Sequence, residues 1–278
     1  MNLFSKKSIF CKFASMKRAF HATAIVVIIF AASCLSACHT AYRIAHIERT
    51  RIVIDSCYDA LIPTSASTLV ATYRSHIDSI TQRVITHATH TLNEEQPGGE
   101  LANLTADFMV WAARQLGDTC DIGIYNMGGI RASIQQGPVT VGDALQVLPF
   151  ANTISCCTLR GSSLTELFKE MAASGGQAVS KGVRMEIDAH GNLLSASIGG
   201  KSIDTTAQYK IATIDYLAQG NNKMEALTHR MSYHNIADPR NDTRTLWIAF
   251  LRQSTNNNST LLTDTVTRVT RHTSSVKP

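Results

Sequence analysis

The apolar positions of this chain fall into a few clean periods. Leu69, Tyr73, Ile77 and Ile80 lie on one face of a helix read over residues 63–84. Leu101, Leu104, Phe108, Ala112 and Leu116 keep the same period and predict a second helix over residues 101–116. The short apolar run 122–125 then reads as a strand. Thr140 with Asp143 has the spacing of a capping box for a short helix ending near Leu148, and Ser163 with Glu166 has the spacing of another. Leu164, Leu167, Phe168 and Met171 stripe the helix expected after that second box. Between the two helices, residues 154–159 read as a strand. Val183, Met185 and Ile187 alternate, His190-Gly191-Asn192 turns, and a partner strand follows, which is a hairpin pattern. A strand over 209–214 and a helix over 244–253 around Trp247 and Phe250 complete the set. Helices mixed with strands and hairpins predict an α+β fold, a mixed sheet with flanking helices.

The N-terminal pattern is different. Lys6, Lys7, Lys12, Lys17 and Arg18 precede an uninterrupted apolar run, residues 22–33, too short to span a bilayer comfortably. Leu35-Ser36-Ala37-Cys38 then resembles a bacterial lipobox. Residues 1–37 are expected to be a lipoprotein signal peptide, Cys38 the lipidation site and residues 38–49 a tether. The folded domain is expected over residues 50–272, with a tail over 273–278. Met16 also opens a complete signal. His39 follows Cys38 without an acidic residue, which by resemblance to sorted lipoproteins places the anchor in the outer membrane, facing the periplasm.

Removing the signal changes the charge. The chain carries 26 Lys and Arg against 21 Asp and Glu, but residues 1–37 hold five of the basic residues and no acidic ones. The remainder is balanced, so no nucleic-acid partner is implied. Beyond Cys38, the cysteines Cys57, Cys120, Cys156 and Cys157 form no C-x-x-C pair. They carry no zinc or redox signature. In an exported protein some of them could pair, with connectivity unreadable, or all could remain free.

The candidate chemistry sits on two loops. After the strand 122–125 comes Asn126-Met127-Gly128-Gly129-Ile130-Arg131, then Gly137-Pro138-Val139-Thr140, then Pro149-Phe150-Ala151-Asn152. Paired glycines after a strand are by themselves only a turn; they allow positive φ and close approach of another group to the backbone. The three pieces together resemble the signature of the C-terminal domain of the 5′-nucleotidase family, over roughly residues 50–271. The family's fold agrees with the α+β reading. The resemblance implies a second loop with a base-stacking aromatic, matched by Tyr216, a glycine matched by Gly220, and an Asp position held here by Asn222.

On that footing Phe150 and Tyr216 sandwich a base, Asn126 and Asn222 hydrogen-bond base or ribose, Gly128 and Gly129 let the ligand approach, and Arg131 contacts ribose or phosphate. Asn152 completes the substrate-binding set. Two departures stand out. The family's Pro-Glu-Ser is replaced by Pro97-Gly98-Gly99, and an upstream Arg is missing where Asn93, Glu94 and Glu95 stand.

Full 5′-nucleotidases also carry a metallophosphoesterase domain that holds two metals to activate water and stabilise the leaving oxygen. Its Asp-x-His, Gly-Asp and Gly-Asn-His motifs are not found in this sequence. Asp188-Ala189-His190-Gly191-Asn192 looks similar but falls in the hairpin turn, and His87 with His90 has no evident partners. No G-x-S-x-G elbow is present. No cofactor is expected in this chain, with divalent metals only in a partner metallophosphoesterase chain. Three readings stay open: a nucleotide-recognition half served by a separate catalytic chain, a free-standing nucleoside or nucleotide-binding lipoprotein, and a structural lipoprotein that has lost its ligand.

Overall fold

The structure is a computed structural model and describes residues 25, 27, 46–52, 64–255 and 260–272. The expected signal peptide, Cys38, Cys57 and the tail after 272 lie outside the described residues, apart from positions 25 and 27. The chain divides into two compact units, and the second, residues 63–278, is the one described below.

In chain order its elements are α1 (Thr64–Thr81), β1 (Val84–Ala88), α2 (Glu100–Gln115), β2 (Ile122–Tyr125), β3 (Gly137–Thr140) and α3 (Val141–Val147). Then come β4 (Ile154–Arg160), α4 (Gly161–Ala173), β5 (Ala178–Val179), β6 (Val183–Ile187), β7 (Leu193–Ile198) and β8 (Lys201–Ser202). The last are β9 (Gln208–Ile214), α5 (Asp215–Ala218), β10 (Ser232–Asn235), α6 (Thr243–Gln253) and β11 (Val269–Arg271). Single 3₁₀ turns lie at Met127–Gly129 and Glu225–His229.

The central sheet has the order β10-β4-β9-β2-β5. β2 runs parallel to β9, and the other pairs are antiparallel. A second sheet, β11-β6-β7-β8, contains the hairpin, and β1 pairs with β3. The fold is α+β with mixed sheets and flanking helices. All four residues of β2 and the last four of β9 are buried, so both faces of the central sheet are covered there. Helices α2 and α4 both pack on this sheet. α2 approaches β2 closely: a Cβ on Gly123 would sit 2.3 Å from the Ala106 carbonyl oxygen. Phe108, Trp111, Trp247 and Phe250 join α2 to α6 through ring centroids 5.3–6.3 Å apart.

Two expectations are corrected. α4 has no capping box: Arg160 is its N-cap without a side-chain bond, and Ser163 and Glu166 lie inside the helix. The turn that leads into β9 caps it. The Gly161 and Ser162 amides donate to the carbonyls of Ala207 (2.9 Å) and Thr205 (3.0 Å), and Glu166 pairs with Lys169 instead. A Cβ at Gly161 would fall 1.9 Å from the Asp204 carbonyl oxygen, so glycine lets the helix start there. The first helix stops at Thr81 rather than 84, because Val84 and the residues after it pair with β3. Its apolar stripe is exposed, with Leu69 at 61%, Tyr73 at 60% and Ile77 at 52%. The Thr140–Asp143 box is present in both directions. Asp188 takes the amides of His190 and Asn192 and the Asn192 side chain, so that segment is the expected turn. His90 Nε2 meets Glu100 Oε1 at 3.0 Å.

Candidate functional site: a cleft where three strands end

β2, β4 and β9 lie side by side in the order β4-β9-β2. β2 and β9 end, and antiparallel β4 begins, at one edge of the sheet. Tyr125, Ile154 and Ile214 therefore deliver three loops to one place. The loops enclose a cleft of about 320 Å³ lined by Tyr125, Asn126, Gly128, Gly129, Phe150, Asn152, Ile214, Tyr216 and Asn222. That is space for a nucleoside-sized ligand.

Of the substrate-binding residues singled out in the sequence, all but Arg131 line this cleft. The Arg131 side chain is exposed and donates through Nη1 to the Gly128 carbonyl at 3.2 Å. It braces the glycine turn from outside.

Asn126 closes the cleft floor. It is buried, and its Oδ1 has no hydrogen-bond partner. A buried amide oxygen without a donor is costly, on the order of 1–3 kcal/mol, and on a cleft-lining residue it is free to accept a hydrogen bond. Of the two freedoms that paired glycines allow, Gly128 and Gly129 do not use positive φ, since they form a 3₁₀ turn. The requirement at Gly129 is close approach. A Cβ there would lie 2.7 Å from Tyr125 Cε1 and 2.9 Å from Asn126 Oδ1. At Gly128 the nearest atom would be Asn126 Nδ2 at 3.6 Å, an ordinary contact. Burial pushes the Tyr125 phenol well above its usual value, so it stays a neutral hydroxyl.

Phe150 and Tyr216 are 46% and 44% exposed. Each presents a ring to the cleft, and neither is engaged by the ring cluster between α2 and α6. Asn222 sits at φ 60°, next to Lys223 at φ 59°. Asn tolerates this left-handed region better than most residues. Two adjacent non-glycine residues held there are backbone strain beside a cleft, a pairing common at binding sites.

Sequence reasoning missed the residues that hold the loops. Asp215 Oδ1 accepts from the amides of Thr153 (3.2 Å) and Tyr216 (2.9 Å), and its own amide donates to the Thr153 carbonyl, so it staples the Phe150 loop to the Tyr216 loop. Gln177 Oε1 takes the Met127 amide at 2.7 Å. Asn241, also buried, accepts from the Ile154 amide and donates to the carbonyls of Ile154 and Ile236. Thr243 donates through its amide and Oγ1 to the Asn152 carbonyl. Only Asp215, adjacent to the loop aromatic, carried a local signal; the others reach the cleft loops from 50 or more residues away. Among the described residues no group of three or more His, Cys, Asp or Glu could hold a metal ion.

The family model for the 5′-nucleotidase C-terminal domain matches residues 79–229, more than half of the chain, and the chain belongs to that family. The match takes in every lining residue of the cleft. A 5′-nucleotidase of Vibrio cholerae is 31% identical over 119 residues, which are 41% of this chain and 21% of that enzyme. The trifunctional nucleotide phosphoesterase protein YfkN of Bacillus subtilis is 30% identical over 142 residues, 46% of this chain and 10% of that protein. The crystal structure of the 5′-nucleotidase precursor from Thermus thermophilus superposes with a TM-score of 0.64 at 23% identity. It covers 77% of this chain and 44% of that one, and it shows the shared fold. The chain matches at most about a fifth of the length of these two curated relatives.

Proposed function

We propose that this chain is the nucleotide-recognition unit of a 5′-nucleotidase-type phosphohydrolase system, binding the nucleoside part of its substrate in the three-strand cleft. Phe150 and Tyr216 clamp the base, Asn126 and Asn222 hydrogen-bond base or ribose, and Arg131, swung away from Gly128, meets ribose or phosphate. The observation that carries the reading is the unpartnered Asn126 Oδ1 on the cleft floor beside two half-exposed rings. A ligand with a flat apolar face and an N–H donor on its edge satisfies both at once, and nucleobases are such ligands. Bond cleavage belongs to a metallophosphoesterase domain on a separate chain. Cys38 anchors this chain to a periplasm-facing membrane by lipid, with the outer membrane favoured by His39.

Calorimetric titration of adenosine and AMP into the purified chain tests the binding. Saturable binding is expected. Phe150→Ala and Tyr216→Ala should each weaken it by roughly 1–3 kcal/mol, the usual worth of a base stacked on an aromatic ring. If the folded wild-type chain binds neither ligand, or both variants bind as the wild type does, the rings are surface and the reading fails.

A further inference from the structure

Away from the cleft, two thiols face each other across the central sheet. Cys120 Sγ lies 3.0 Å from Cys156 Sγ. Cys156 is buried on β4, one rung inside the pair Ser155–Thr213. Cys120 precedes β2 and is half-buried. β9 runs between those two strands, so the contact crosses over it.

The segment carrying Cys120 is pinned on both sides. The Asp121 amide donates to the Lys210 carbonyl, and the Lys210 amide donates back to Asp121 Oδ2, each at 2.8 Å. Asp118 is held by the Lys210 ammonium and by His234 Nδ1 at 3.2 Å. One sulfur is therefore presented by β4 and the other by a segment pinned to β9 and β10, so their separation is not left to an untethered loop. A covalent bond needs an approach of only roughly 1 Å more. Cys157, the neighbouring residue, is buried too but has no such partner among the described thiols.

We propose that Cys120 and Cys156 are a native disulfide site, closed by exchange with a disulfide oxidant. The half-exposed Cys120 thiolate attacks one sulfur of the oxidant, forming a mixed disulfide and releasing the first thiol. The Cys156 thiolate then attacks Cys120 Sγ and releases the second. One sulfur–sulfur bond breaks in the oxidant and one forms in the protein. Two electrons pass to the oxidant, and the two protons leave with its thiols. The bond ties β4 to the lead-in of β2 across β9, fastening together the three strands whose ends carry the cleft loops.

The test uses the purified full-length chain, reduced with dithiothreitol and then exposed to oxidised glutathione. Remaining thiols are trapped with N-ethylmaleimide in denaturant, and the chain is mapped by peptide mass spectrometry. The expected product is a peptide pair joining Cys120 to Cys156, two hydrogens lighter than the dithiol, with Cys157 alkylated. Oxidation should raise the melting temperature by roughly 5–15 °C, as a link closing a loop of this length does. That rise should vanish in Cys120→Ser and Cys156→Ser and persist in Cys157→Ser. Both thiols alkylated after oxidation, or Cys120 joined instead to another cysteine, overturns the proposal. The mapping on wild-type protein stands even if a serine variant fails to fold, and it does not depend on nucleotide binding.

Discussion

At Gly129 an added methyl group would meet Tyr125 and Asn126 side chains within 3.0 Å, and the buried tyrosine ring has nowhere to go. Gly129→Ala should therefore lower stability by roughly 1–3 kcal/mol and abolish binding in the cleft. Gly128→Ala, with only an ordinary contact at 3.6 Å, should leave the melting temperature nearly unchanged. Thermal melts of the two variants side by side separate a steric requirement from a merely flexible turn. A second residue-scale prediction concerns Asp118. Burial acts to raise its carboxyl, but bonds from Lys210, His234 and the Thr119 amide outweigh it and hold the carboxyl at about 2. A carboxylate depressed in the folded state stabilises it above the unfolded pKa near 4 and loses that contribution as pH falls toward 2. With its lysine partner partly exposed, the effect is on the order of 1–2 kcal/mol. Urea unfolding of wild type and Asp118→Asn should diverge at pH 6 and converge near pH 2; equal stability at pH 6 would remove the role.

Between elements, Arg268 is a buried ionic tie. Its side chain is 1% exposed and makes a two-pronged pair with Asp107 on α2, at 2.7 and 2.8 Å. It also meets Asp264 at 2.8 Å and the carbonyls of Asn103 and Val179. Arg268 precedes β11 directly, so this knot binds the C-terminal strand to α2 and β5. Arg268→Met removes the guanidinium from two carboxylates and two carbonyls, leaving the carboxylates only the Lys181 and Val266 amides, and should cost roughly 3 kcal/mol, read as a shift in the urea midpoint. The same scale explains which patterns were legible. The Thr140–Asp143 box was readable because both partners are local. The Ser163–Glu166 box had identical spacing and did not form, because the amides at the start of α4 were already taken by carbonyls some 45 residues away. Strands β1, β5 and β10 are short and paired with distant partners, so no period announces them. The α1 period was right about a helix and silent about what its apolar face meets.

For the whole molecule, the proposed division of labour makes a sharp prediction. Phosphoester hydrolysis needs a metal-activated water or an equivalent nucleophile. The purified chain supplied with manganese or zinc should release no phosphate from AMP above a control without protein. Adding its metallophosphoesterase partner should restore release, and Arg131→Ala should lower the restored rate. Chelator-sensitive phosphate release by the chain alone would contradict the proposal. Co-purification identifies the partner, and membrane fractionation of Cys38→Ser, expected to leave soluble or unprocessed material, tests the anchor.

The sequence by itself determined the principal helices and longer strands, the α+β class and the loop residues of the cleft. Those features are written in local period and in short motifs, where neighbouring residues decide the outcome. Only the tertiary structure decided that Asn126, Phe150 and Tyr216 share one cleft, that Arg131 stands outside its lining, and that Gly129 is needed for packing rather than for φ. It alone brought Asp215, Gln177 and Asn241 under the loops and set Cys120 against Cys156. These outcomes depend on strand order and register, and order and register are set by burial on both faces of the sheet, to which the whole chain contributes.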